Sequence, residues 1–183
     1  MPYNSPATQS TGAVATAAWA NSVKAALDFL ANPPACRVSR GSVQSIPHTT
    51  ATTLIFDGTE SFDTDSMHSP ATNPERITFN TAGLYLVTLQ FQMETANDYD
   101  FVDAHVCRNA VLTGEIIPGG YASIDANGLP VVNLSGTYKF AAGDYITAYV
   151  YQRNTTSVAR NVRYLADHGP IFTATWIGTG NAS

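Results

Sequence analysis

The alternation of apolar and polar residues is most regular in the segment ITFNTAGLYLVTLQFQM, Ile77 to Met93. From Tyr85 onward every second residue is apolar, as in a β-strand with one buried face. The intervening positions start apolar, at Leu84 and Leu86, and then become polar. A strand with one solvated face would be polar at all of these positions. The pattern therefore predicts a strand whose second face is partly covered as well.

A second strand with two unusual faces is predicted in DYITAYVYQ, residues 144–152. One set of alternate positions is apolar. The other set carries three tyrosines and a threonine, namely Tyr145, Thr147, Tyr149 and Tyr151. Tyrosine is enriched at interfaces because it combines apolar area with one polar group. Two explanations stay open: contact with a neighbouring subunit, or coverage by a loop of the same chain.

One helix is predicted, over residues 14–31, VATAAWANSVKAALDFLA. Alanine dominates the segment, Thr16 can act as its N-cap, and the NPP at 32–34 ends it. Its apolar residues at helical spacing form one narrow stripe: Trp19, Val23, Ala26 or Leu27, and Leu30. Residues 1–12 are rich in Pro, Ser, Thr and Gly and predict an extended arm.

After Pro34 the apolar period changes to two and stays there. Strands are predicted near 35–40, 42–47, 52–57, 76–80, 84–93, 101–107, 113–117, 130–140, 145–152, 160–165 and 171–177. About ten short strands without intervening helices are typical of an all-β sandwich or barrel. The predicted organisation is an arm and anchoring helix, 1–34, followed by a β head domain, 35–183.

The composition of the chain argues against several classes of binding partner. Charged residues make up 13% of the chain, the net charge is −5, and the only lysines are Lys24 and Lys139. Nucleic-acid binding requires a basic surface, so none is expected. The N-terminus has no basic region followed by an apolar run, so no signal peptide is predicted. No apolar run approaches the length of about 18 residues that membrane insertion requires.

Three segments resemble strands of the complement globular-head and tumour-necrosis-factor jelly-roll superfamily. AGLYLVTLQF matches a G-x-Y-x-(apolar)-x-(apolar) strand, although that family usually has Phe where Val87 stands. FAAGDYITAYVY matches an L-x-x-G-D-x-(apolar) strand opening, and FTATWIG is placed like the last core strand. The matching positions are Gly83, Tyr85, Val87, Leu89, Phe140, Gly143 and Asp144.

The order of segments also resembles a set of small phage virion proteins. In those proteins a helix with a Trp-x-Asn sequence ends in NPP and leads into a jelly-roll head. The matching residues here are Trp19, Asn21, Asn32, Pro33 and Pro34. This resemblance implies a structural component of the virion surface, assembled in the host cytoplasm. Residues 1–34 would bind other virion proteins of the capsid or tail, and the head would serve as decoration, fibre tip or host-attachment knob.

The jelly-roll resemblance further implies a homotrimer. The residues expected at the trimer interface are Leu84, Leu86, Tyr145, Thr147, Tyr149 and Tyr151. The helical stripe is expected either to pack against two further copies around the same axis or to dock onto another protein.

The search for catalytic and metal-binding motifs favours a protein without enzymatic activity and without cofactors. The sequence contains no GxSxG, HExxH, P-loop or GxGxxG motif. The acidic segment FDGTESFDTD, 56–65, is interpreted as a structural turn, with calcium binding as the alternative. Cys36 and Cys107 are interpreted as two small buried apolar residues, and a disulfide between them stays open.

Two segments are candidate receptor-contact loops because loop tips on a rigid scaffold often carry recognition residues. The first, ANDYD at 96–100, presents Tyr99 and Asp100, and the second, at 118–128, presents Tyr121. A host glycan or host protein is the expected partner. Tyr99 and Tyr121 also carry the alternative function, a soluble carbohydrate-binding, lectin-like jelly roll.

Overall fold

The chain forms one helix followed by thirteen strands in the computed structural model, which describes residues 4–109, 115–124, 128–165 and 169–180. Their bounds are α1 Ala17–Ala31, β1 Ala35–Ser39, β2 Gln44–Ile46, β3 Thr52–Thr53, β4 Glu60–Asp63, β5 Arg76–Thr78, β6 Gly83–Gln92, β7 Tyr99–Arg108, β8 Glu115–Tyr121, β9 Ser123–Ile124, β10 Pro130–Phe140, β11 Tyr145–Asn154, β12 Arg160–Val162 and β13 Ile171–Gly178.

The strands form two facing antiparallel sheets. The six-stranded sheet has the order β4-β1-β13-β6-β10-β9, and the five-stranded sheet has the order β3-β11-β7-β8 with β5 also paired to β11. A small third sheet joins β12 to β2. The prediction of an all-β sandwich with one N-terminal helix is confirmed. Each of the two long strands singled out in the sequence, β6 and β11, has neighbours on both sides within its own sheet.

The core lies between the sheets and uses the parity that the sequence predicted. On β6, Tyr85, Val87 and Leu89 are fully buried, and they face the fully buried Ile146 and Val150 of β11. Aromatic rings fill one end of this core. The Phe79 ring stacks on Phe140 with centroids 3.9 Å apart and contacts Tyr85 at 4.6 Å.

One glycine of the jelly-roll resemblance has a steric role. A Cβ atom at Gly83 would lie 2.1 Å from Nε1 of Trp176, on the neighbouring strand β13. No real Cβ contact is that short, so any larger residue would displace the indole. The indole in turn is 8% exposed and closes this end of the core.

The helix ends where the sequence predicted and begins three residues later than the predicted position 14, directly after Thr16. The side chain of Thr16 accepts a hydrogen bond from the Trp19 N–H at 3.2 Å, which confirms it as the N-cap. The helix ends at Ala31, next to Asn32. The arm contacts the helix, because the Trp19 indole N–H donates to the carbonyl of Ala7 at 2.9 Å.

The face on which the helix packs differs from the predicted stripe. Of the stripe, only Ala26 is buried, whereas Leu27 is 60% exposed and Leu30 is 50% exposed. Phe29, which lies outside the stripe, packs on the Trp176 ring with centroids 4.9 Å apart. The contact of Phe29 with a head aromatic lies on the side of the helix that faces the head, and helical periodicity alone could not predict it.

Strand bounds differ from the prediction in several places. The predicted strand 52–57 shortens to Thr52–Thr53, and the acidic segment contributes the strand Glu60–Asp63. Both candidate receptor loops also overlap strands, because Tyr99 begins β7 and Tyr121 ends β8. These residues are therefore held by sheet pairing, not presented on loop tips. The boundary between an N-terminal unit and the head at residue 34 stays a prediction.

Candidate functional site

The residues predicted for one trimer interface lie on two opposite faces of the sandwich. Leu84 and Leu86 alternate with the buried side chains of β6 and point away from the core, on the outside of the six-stranded sheet. Tyr149 and Tyr151 alternate with the buried side chains of β11 and lie outside the five-stranded sheet. The structure does not bring the six residues together on one face, because alternation shows that a strand has two faces but not which sheet the strand joins.

The outside of the six-stranded sheet is a surface of hydroxyl, amide and apolar groups, called here the hydroxyl face. The pairing register aligns its residues in rows across β1, β13, β6 and β10. They are Ala35, Arg37, Leu84, Leu86, Thr88, Gln90, Asn133, Ser135, Thr137, Lys139, Ile171, Thr173 and Thr175. Among these described residues only Arg37 and Lys139 are charged. At its centre the hydroxyls of Thr88 and Thr173 are hydrogen-bonded at 2.5 Å.

Large apolar side chains lie exposed on or beside the hydroxyl face. Leu86 is 40% exposed within the rows, Phe62 on the edge strand opposite Arg37 is 43% exposed, and Ile177 in the β13 bulge is 50% exposed. Interfaces are depleted of charge in their centre and contain such apolar groups. The low charge and the exposed apolar groups of this face are two features that protein contact surfaces share.

Two of the predicted interface residues on β11 are covered within the chain. The Arg76 guanidinium lies 4.7 Å from the centre of the Tyr145 ring, close enough for a cation–π contact. Thr147 is 1% exposed, between Cys107 and Arg76 of the neighbouring strands. At this end of β11 the coverage comes from the same chain, the alternative that the tyrosine pattern had left open.

The other end of β11 contributes to an aromatic cluster. Its rings are Phe101, Tyr121, Tyr149 and Tyr151, which line a cavity of about 450 Å³ together with Ala51, Asp103, His105 and Val150. The Phe101 ring is stacked on Tyr151 at 5.5 Å and meets Tyr121 edge to face at 5.8 Å. Tyr121 is 78% exposed.

Charged groups surround the aromatic cluster in pairs. Nε of Arg153 binds Asp100 Oδ2 at 3.0 Å, and the same guanidinium lies 5.0 Å from the Phe101 ring centre. Nε2 of His105 lies 2.8 Å from Asp103 Oδ2. The sequence analysis names all three tyrosines of this cluster, Tyr121, Tyr149 and Tyr151, and also Asp100 beside it. It does not name Phe101 and Asp103. One sequence pattern could have identified them: both lie at alternate positions of β7, on the face away from the buried Val102, Ala104 and Val106.

Tyr99, predicted as a receptor contact, is held by contacts within the chain. It is half-buried, and its hydroxyl donates to the carbonyl of Glu94 at 3.0 Å while the Arg160 guanidinium lies 6.0 Å from its ring centre. Burial, followed by the nearby Glu94 carboxylate, raises the pKa of its phenol. Tyr99 therefore contributes to the internal structure of this end of the head.

Asp98 joins the segment before β7 to the segment after β11. Its Oδ2 accepts hydrogen bonds from the hydroxyl of Thr156 and from the guanidinium of Arg160. The hydrogen bond from Thr156, together with that from Arg160, holds the pKa of the Asp98 carboxyl below its ordinary value. The segment 96–100 is thus fastened in place by an exposed hydroxyl and a half-buried guanidinium.

The acidic segment 56–65 forms a hydrogen-bonded turn. The Asp63 carboxylate accepts backbone N–H groups from Asp65, Met67 and His68 at 2.9–3.2 Å. Glu60 instead binds Nδ1 of the buried His68 at 2.7 Å. These contacts support the structural-turn interpretation. Within the described ranges, no group of three or more His, Cys, Asp or Glu side chains is placed to hold a metal ion.

Cys36 and Cys107 are both buried and are not joined by a disulfide. Burial is the main cause that raises the pKa of the Cys36 thiol. Among the described residues, no helix has the length and apolarity needed to cross a membrane.

Solved structures match this fold, whereas no family model and no curated protein sequence matches the chain. The globular domain of zebrafish complement 1qA protein is similar with a TM-score of 0.56 and 11% identity, over 80% of this chain and 99% of that chain. Murine APRIL at pH 5.0 is similar with a TM-score of 0.58 and 14% identity, over 79% and 98% of the two chains. The chain is therefore a jelly-roll protein of the complement-head and tumour-necrosis-factor type of fold. At these identities the likeness is one of fold alone.

Proposed function

We propose that the protein is a non-enzymatic jelly-roll module that assembles as a homotrimer through its hydroxyl face. The observation that carries this proposal is the outward pair Leu84 and Leu86, on a central strand of a face whose described rows hold only two charges. In the single chain, 40% of the Leu86 surface is exposed to water. Covering such a surface with a second copy removes apolar area from water, which stabilises the assembly. The number three comes from the jelly-roll resemblance.

The helix supports the same assembly. Docking through Ala26 and Phe29 leaves Leu27 and Leu30 exposed, whereas Val23, one turn before Leu27, is half-buried. An exposed stripe of this kind on a helix is typical of a surface that another helix or protein covers. We assign the stripe to contacts with other copies or with a larger particle.

The larger particle is proposed to be a phage virion. Residues 1–34 would attach the chain to capsid or tail proteins, and the head would project from the virion surface as decoration or for host attachment. The support is the Trp19-x-Asn21 and NPP arrangement ahead of a jelly-roll head. The arm fits an attachment role, because its Ala7 carbonyl is bonded to the helix through Trp19 while many of its residues are exposed.

Incorporation into particles tests the attachment role. The double variant Leu27→Glu/Leu30→Glu places charge on the exposed stripe without altering the Phe29 contact. We expect it to fold and to be lost from purified particles. Lys24→Glu is the matched control, since the Lys24 side chain is exposed and pairs with Asp28, 2.5 Å away within the helix. Incorporation of the double variant at the level of the control would overturn the attachment role.

Carbohydrate binding is the second candidate function, and the aromatic cluster is the observation that favours it. The cluster lies on the sheet opposite the hydroxyl face, so the two surfaces share no residue. The two functions therefore do not exclude each other.

A further inference from the structure

A row of side chains across three strands places a carboxylate between two tyrosines. The register pairs Asp103 of β7 with Tyr151 of β11 on one side and with Tyr121 of β8 on the other. Side chains directly opposite each other in neighbouring strands are close enough to act on one ligand. The Asp103 side chain keeps 20% of its surface exposed, so its carboxylate is accessible between the two rings.

The surrounding contacts fix these groups before any ligand binds. His105 lies two residues from Asp103 on the same face and holds its carboxylate at 2.8 Å. Phe101 stacks on Tyr151 with an angle of 16° between the ring planes and meets Tyr121 at 83°. Rings held by such contacts lose little conformational freedom on binding.

The shape and charge of the cluster select the chemical class of the ligand. Two of its rings are nearly parallel and form a flat ladder with the Arg153 guanidinium, so they do not surround a cation as an aromatic cage does. Arg153 is already paired with Asp100, which leaves no excess of positive charge for an anionic ligand. A neutral, flat ligand with hydroxyl groups is the one that fits.

From this geometry we propose that the aromatic cluster binds a neutral hexopyranose unit of a glycan. The apolar C–H face of the sugar packs on the exposed tyrosine rings, chiefly Tyr121, whose side chain offers apolar area with a polar tip. The carboxylate of Asp103 accepts hydrogen bonds from two adjacent sugar hydroxyls. The cavity of about 450 Å³ has room for one or two sugar units and lies within the usual range for small-ligand sites. The site does not depend on trimer formation.

Binding of the full-length protein to an array of neutral, sialylated and phosphorylated glycans tests the site. Titration calorimetry with the best neutral glycan then compares the wild type with Tyr121→Ala and Asp103→Asn. We expect a neutral glycan to bind, and each variant to raise its Kd by about tenfold or more, the effect of losing a stacking ring or a charged acceptor. Tyr164→Ala is the matched control, because Tyr164 is 44% exposed and lines a different cavity beside Arg37 and Ile171; its Kd should stay within about twofold.

Three results would overturn the site. The first is an array on which no neutral glycan binds, or on which only anionic glycans do. The second is a neutral glycan whose Kd is unchanged in both Tyr121→Ala and Asp103→Asn, with circular dichroism showing that all variants are folded. The third is a change in oligomeric state in Tyr121→Ala, which would identify the cluster as a contact between copies of the chain.

Discussion

The ring of Phe29 meets the indole of Trp176 edge to face, with centroids 4.9 Å apart and planes at 86°. This contact joins the N-terminal helix to the last strand of the six-stranded sheet. A main-chain hydrogen bond lies beside it, in which the Trp176 N–H donates to the Pro34 carbonyl at 2.8 Å. Helix and head are thus held together by side-chain and main-chain contacts at one end of the sandwich.

Replacing Phe29 with Ala should release the helix while the head stays folded. Phe29 is partly buried, so the loss should be about 1–3 kcal/mol, less than for a fully buried Phe. Hydrogen exchange measures the effect directly, through faster exchange of the amides in Ala17–Ala31. Leu30→Ala is the control, since Leu30 is 50% exposed, and its amides should exchange as in the wild type. Equal exchange in the two variants would show that the Phe29 contact does not hold the helix.

Gly83→Ala should destabilise the head because its methyl group would displace the Trp176 indole. Overpacking of this kind costs about 1–3 kcal/mol. The matched control is Gly178→Ala on the neighbouring strand, where the nearest atom would lie 4.0 Å from the new Cβ. Denaturant unfolding followed by tryptophan fluorescence should show a lower midpoint for the first variant only. Similar midpoints for both variants would contradict the steric role of Gly83.

The stability of the head should fall in acid partly through Asp98. The hydrogen bond from Thr156, with that from Arg160, lowers the folded-state pKa of Asp98 below its ordinary value. The stabilisation is therefore complete above that ordinary value, about 3.9, and is lost as the pH falls through the lower folded-state pKa. We expect Asp98→Asn to be less stable than the wild type at pH 7 and to lose less stability than the wild type on acidification.

Unfolding midpoints from pH 7 to pH 3, at one protein concentration, check this prediction. Asp28→Asn serves as the control, because the Asp28 side chain is 63% exposed in its pair with Lys24. Its pH profile should follow the wild type, since exposed pairs contribute little. If Asp98→Asn shows the wild-type pH profile, Asp98 does not contribute to the acid sensitivity.

Sequence patterns were sufficient for the interior of each element and insufficient for how the elements meet. The alternation through Tyr85, Val87 and Leu89 identified the buried face of β6, and Thr16 and the NPP located the ends of the helix. The jelly-roll resemblance supplied the sandwich. These features depend on neighbouring residues or on short motifs, so each can be predicted from the sequence of its own segment.

The relations between distant segments could not be predicted in the same way. Tyr121 and Tyr151 are 30 positions apart in the sequence, and only the pairing of β8 and β11 with β7 places them on either side of Asp103. Leu86 and Tyr149 shared an unusual apolar second face, yet they belong to different sheets. Apolar residues at both parities of a strand predict that both of its faces are covered, and they do not show by what.

The most direct test of the central claim is the mass of the full-length protein in solution, measured by size-exclusion chromatography with light scattering. We predict a mass of about three times the 19.5 kDa of one chain at micromolar concentration. Leu86→Glu, which adds charge to the hydroxyl face at a position that is already 40% exposed, should give a folded monomer. Val43→Glu, at a position 53% exposed and outside the rows of that face, should stay trimeric. A monomeric wild type, or a Leu86→Glu variant that is still trimeric, would contradict assembly through the hydroxyl face.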